Sequence, residues 1–175
     1  MKIVRPLKVT PDEFFDVLEE ALLSDITKAT GEDVDGSVLI PGYTFVQYPD
    51  QASIKTTTVI TAYDRGVRYA SRSSSPTDTV ELSYEIVPSE SGTGYEVTFA
   101  QDIESFKLKR KGFSKSATEM LYLGKMSSAL VDLQDKALDK REGIVRKDPK
   151  DNPVTKKVME KASEKEKKSK KAKGE

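Results

Sequence analysis

The sequence predicts an α+β fold, on three observations. In "TPDE", Thr10 stands as an N-cap, Pro11 at the first helical position and Glu13 three residues after the threonine, which is the pattern of a capping box. After residue 42 the apolar period changes from 3.6 to two, and five β-branched and aromatic runs follow with short turns between them. A second long amphipathic segment then runs to Gly143. Together these predict an antiparallel sheet of about six strands wrapped on a long C-terminal helix, with one or two short helices after the first strand.

Each element has its own signal. "KIVRPLKV", residues 2–9, sets Ile3, Leu7 and Val9 at period two, and Pro6 marks an edge or bulged strand. From the capping box onward Phe14, Phe15, Leu18, Leu22, Ile26 and Ala29 share a helical face, and Gly31 is placed to end it. Asp25 falls inside that apolar arc, where an unpaired carboxylate would cost several kcal/mol, roughly 1–3 even for a neutral polar group. A break at Ser24 or Asp25 avoids the cost. Asp25 is therefore expected to cap a second short helix, Ile26 to Thr30, with a pocket-lining carboxylate as the other reading.

Residues 32–42 read as a loop, with an extended piece at Val38 to Ile40. The strands 43–49, 53–63, 66–73, 78–87 and 94–106 are joined by turns too short for parallel crossovers, so they form an antiparallel meander. Alternation puts Ile54, Ile60, Ala62, Val67, Tyr69, Val80, Leu82, Tyr84, Ile86, Tyr95, Val97, Phe99 and Ile103 on one face. Arg68, Arg72, Glu81, Glu85 and Asp102 fall on the other. The last helix opens with Ser116 and Glu119 as a second capping box. It aligns Tyr122, Leu123, Met126, Ala129, Leu130, Leu133 and Ala137, with Asp132 and Asp139 away from that line. Residues 1–143 are the expected domain and 144–175 a Lys/Glu-rich disordered tail.

Composition narrows the function. The 175 residues contain no cysteine and no histidine, which removes disulfides, thiol nucleophiles, imidazole bases and His- or Cys-ligated metals. No catalytic motif is present, so an enzyme is the third choice, and no cofactor is expected. No run of about 18 apolar residues and no leader-like apolar segment is found, so no membrane span and a cytoplasmic location are expected. The net charge of zero hides an asymmetry: residues 146–175 hold 12 Lys/Arg and 6 Asp/Glu, while residues 1–145 hold 17 and 23.

The order strand, helix, meander and long helix resembles the helix-grip superfamily of START-like, SRPBCC-type proteins. "LKVTPDEFFDVLEEALLSDITKATG" further resembles the opening of an uncharacterised bacterial family that reaches an Asp-Ile to Thr-Gly ending, here Asp25, Ile26, Thr30 and Gly31. The resemblance spans roughly residues 1–142, and its specific part is the first 31. It implies a cavity between sheet and long helix, used by superfamily branches for hydrophobic ligands, partner proteins or chemistry.

Tyr69, Tyr84, Tyr95, Phe99, Tyr122, Met126 and Leu130 are thus either core or the lining of a pocket for a small apolar ligand; inward tyrosines suit the second, because a buried hydroxyl needs a partner. Thr56 and Thr58 share the inward register, and Gly124, Ser127 and Ser128 are small residues on the long helix. "KLKRKG", residues 107–112, reads as a solvated linker, since the body is acidic and no exposed aromatics interleave with it. Nucleic acid is accordingly not an expected partner beyond weak, salt-sensitive contact through the tail. "GEDVDG", residues 31–36, imitates a calcium loop without the twelfth-position glutamate. The leading expectation is non-catalytic binding of a hydrophobic or amphipathic ligand. The alternative is a protein-interaction module contacted through its outer surface or basic tail, and oligomeric state is open.

Overall fold

The computed structural model describes residues 1–48, 55–105 and 115–144, with side chains for all of these except 105 and 115–121. The expected tail, the "KLKRKG" linker, Ile54 and the side chains of Ser116 and Glu119 therefore lie outside the described residues. The chain divides into two units, Met1–Arg141 and Glu142–Glu175. The first contains the sheet and its helices.

Strand β1 (Lys2–Leu7) leads into helix α1 (Pro11–Thr30), then β2 (Thr44–Gln47), β3 (Thr56–Asp64), β4 (Arg68–Ser74), β5 (Asp78–Pro88), β6 (Tyr95–Ser105) and helix α2 (Lys115–Glu142). The six strands form one antiparallel sheet in the order β1-β6-β5-β4-β3-β2. Pro6 sits on an edge strand, where its missing N–H interrupts no interior ladder.

Helix α1 begins at a complete capping box. Glu13 N–H donates to Thr10 Oγ1 at 3.3 Å, and Thr10 N–H donates to Glu13 Oε2 at 2.7 Å. The helix ends at Gly31, whose φ of 75° is the left-handed conformation that lets its N–H reach Thr27 O. Between these ends it is unbroken, so the expected hinge is absent and Asp25 caps nothing. Its side chain is 69% exposed and lies 3.5 Å from Lys28 Nζ. The expected extended piece at Val38 to Ile40 is instead a single 3-10 turn, Gly36–Val38, capped by Asp35 Oδ1 accepting from Ser37 N–H at 2.8 Å.

The inner face of the sheet is organised in rows. Tyr63, Tyr69, Tyr84, Phe99 and Ile3 lie side by side across β3, β4, β5, β6 and β1. Tyr63 belongs to this row because β3 bulges between Ile60 and Ala62. One extra residue reverses every side chain beyond it, so Ala62 turns outward against the expected alternation and Tyr63 turns in. Val67, expected inside, is exposed at the turn. Phe14, Phe15, Leu18 and Ile26 of α1, with Met126, Leu130 and Ala137 of α2, complete a single core with Tyr69, Tyr84, Ile86, Val97 and Phe99.

Three contacts, two hydrogen bonds and an ion pair, lay α2 along β1 and the start of α1. Arg5 donates to Ser127 Oγ at 2.8 Å, Lys8 N–H donates to Gln134 Oε1 at 3.0 Å, and Arg141 binds Glu13. Seven helical residues rise about 10.5 Å, close to the roughly 10 Å spanned by three extended residues, so both hydrogen bonds form without distortion. This is why Gln134 is buried. Asp139, expected outside, is buried too, whereas Tyr122 and Ala129, expected inside, are exposed.

Candidate functional site

Five of the seven residues singled out from the sequence meet on the inner face: Tyr69, Tyr84, Phe99, Met126 and Leu130. The other two do not join them. Tyr95 opens β6 opposite Leu7 and Pro88 and is 42% exposed; Tyr122 is 37% exposed, with Lys125 Nζ 6.0 Å from its ring centre. Tyr95 has the inward parity, yet as the first residue of its strand it lies beyond the packed core.

Aromatic geometry fixes the centre of the site. The Tyr84 ring stacks on Phe99 at 4.5 Å and meets the edge of Phe14 at 5.9 Å, which holds the Tyr84 side chain in one orientation. Around it the inner face is not purely apolar. Ser71 is buried beside Ile60 and Leu82, and Thr58 Oγ1 lies 2.8 Å from Ser73 Oγ on the neighbouring strand.

The Tyr84 hydroxyl is the unusual group. Tyr84 is 6% exposed, and its hydroxyl makes no hydrogen bond among the described residues. A buried phenol without a partner costs about 1–3 kcal/mol. Burial, with Tyr69 close by, pushes the Tyr84 hydroxyl well above the usual phenol range, so it acts as a neutral donor and acceptor. Burial also raises Tyr69; the Ser71 hydroxyl works against that rise and the Asp25 charge adds to it.

A second arrangement joins α1 to the β3–β4 turn. Tyr63 donates to Glu19 Oε1, and Arg65 spans Glu19 and Asp16, the latter at 2.5 Å. Burial and then Glu19 raise the Tyr63 hydroxyl to about 12. Every group here has a partner, so the cluster works as a clasp. Periodicity could not reveal it, because Tyr63 reads as outward until the bulge is known.

The opposite face of the sheet carries a depression of about 590 Å³. Its floor is the row of small residues Ala70, Ser83 and Ala100, and its walls include Arg68, Arg72, Glu81 and Asp102. Arg72 spends its guanidinium on Glu81. Among the described residues, no group of three or more acidic side chains is placed to hold a metal ion, and no helix is long and apolar enough to cross a membrane.

With this geometry in place, comparison with known proteins decides the family. Residues 1–122 match the domain of unknown function DUF3284. The chain belongs to that family. None of the curated proteins matches it. Among solved structures, Ara h 8.0201 is 12% identical, with 79% of this chain and 97% of that one covered at a TM-score of 0.50. An uncharacterised protein of Rhizobium leguminosarum is 14% identical over 80% and 93% at a TM-score of 0.48. A protein of Mesorhizobium loti is 11% identical over 80% and 96% at 0.49. At such identities the likeness to Ara h 8.0201 concerns the fold alone, and gives this DUF3284 domain a helix-grip architecture.

Proposed function

We propose that the DUF3284 domain binds, without catalysis, a small hydrophobic or amphipathic ligand between the inner sheet face and α2. The observation that carries this reading is the Tyr84 hydroxyl: its residue is more than nine-tenths buried, yet the hydroxyl has no hydrogen-bond partner among the described residues. A ligand hydroxyl or carbonyl there would supply the missing hydrogen bond while its apolar body replaced water against Phe99 and Met126. Helix-grip architecture supports the reading, since sheet and long helix face one interior.

The test is a displacement titration with an environment-sensitive dye, together with native mass spectrometry of freshly purified protein. The wild type should release a bound small molecule or displace the dye. Tyr84→Phe should weaken binding by roughly 1 kcal/mol, about fivefold, with no loss of thermal stability, because the free hydroxyl has no bond to give up. An interior that takes up neither dye nor ligand would sink the proposal. It would favour the second reading, an interaction module contacted through the depression on the charged face.

A further inference from the structure

The seam between β1 and α2 holds an arginine whose chemistry the fold does not use up. Ile3, Arg5 and Leu7 share the inward register of β1, opposite Phe99, Val97 and Tyr95, so a cation stands between two apolar neighbours at the rim of the inner face. A guanidinium carries five N–H donors in a planar fork. Arg65, Arg72 and Arg141 each place theirs on carboxylates. Arg5 gives one to the neutral Ser127 hydroxyl at 2.8 Å and meets no carboxylate among the described residues. Ser127, accepting from Arg5, keeps its own proton to donate. Met126, the residue before it, is part of the core.

Resting on the ligand-binding reading above, the geometry points to Arg5 and Ser127 as the anchor for the anionic end, carboxylate or phosphate, of an amphiphile whose apolar body lies along Ile3, Phe99 and Met126. The Arg fork matches the paired oxygens of either group, and the Ser127 proton adds a third donor. Arg5 stands two strands across and two residues along from Tyr84, about 9.5 Å by about 7 Å and so about 12 Å apart at the usual strand spacings. An amphiphile of medium chain length therefore spans from the cation to the free phenol.

The full chain is titrated with four probes of equal chain length: decanoate, decyl phosphate, decanol and decyltrimethylammonium. At least one of the two anions should bind about tenfold more tightly than decanol or the ammonium, with the advantage shrinking as salt is added. Arg5→Gln should abolish that advantage while leaving decanol affinity within about twofold. Arg5→Lys, which keeps the charge and loses the fork, should restore part of it. If decanol binds and neither anion binds better, the anchor is overturned and the pocket stands. Failure of all four probes overturns both. If Arg5→Gln leaves the anion preference intact and the protein self-associates, Arg5 guards an edge strand and the proposal is wrong.

Discussion

Asp25 follows Phe14 by eleven residues and Leu18 by seven, so on a helical wheel it sits between two of the most buried side chains in the protein. It is nevertheless exposed, because the buried edge of α1 moves along its length from Phe14 and Leu18 to Ile26, about 100° away from Asp25. A wheel averages over the whole helix and cannot register that drift, which is why the sequence suggested a hinge. Asp25→Asn should shift stability by no more than about 0.5 kcal/mol, measured by thermal melting, since it loses only an exposed pair with Lys28. The residues of the inner site were readable where burial followed simple alternation: Tyr69, Tyr84 and Phe99 fall where period two puts them. Alternation cannot tell that the Tyr84 hydroxyl lacks a partner among the described residues, because that depends on which groups other elements bring to it. Nor could it find Arg5, a charge on an inward position of a strand whose far side only a helix some 120 residues later covers.

At the scale of elements, the meander, the edge position of β1 and the long final helix were all legible, because turn length and capping chemistry are local. The β3 bulge was not: its one extra residue shows only when strands are paired. This yields a test. Deleting Thr61 should restore regular alternation, with Ala62 still outward and Tyr63 still packed on Phe15, so the deletion variant should fold and keep the Tyr63–Glu19 bond. Solvent accessibility of Tyr63, read by nitration, would rise to that of a free tyrosine if the bulge played some further part. The face of α2 shows the same limit. Gln134 is polar and its burial is set by the Lys8 N–H, which lies in another element. Gln134→Leu should cost about 1–3 kcal/mol in urea denaturation, despite adding apolar surface, because it strands that donor.

Across the whole molecule, Glu13 serves two helices. It closes the capping box of α1 and receives Arg141, with Oε1 at 2.6 Å from the guanidinium. Lys140, the residue before Arg141, binds Glu20, about two turns along α1 from Glu13. The Arg141 hydrogen bonds, ahead of the Thr10 backbone, lower the Glu13 pKa from 4.5 to about 2. A carboxylate depressed in the folded state contributes stability that is complete above its unfolded value and disappears as pH falls through the folded one. Melting temperature should therefore decline between about pH 4.5 and pH 2 more steeply for the wild type than for Glu13→Gln, with added salt narrowing the difference. The same residue also sets an order of events in time. Thr10 and Glu13 are three residues apart and can pair as soon as they leave the ribosome, whereas Arg141 comes 128 residues after Glu13 and is among the last parts of the helix to be made. Between the completion of β6 and the emergence of α2, the strands of the sheet have been made while their aromatic row still waits for its second cover, and only the arrival of α2 closes that face.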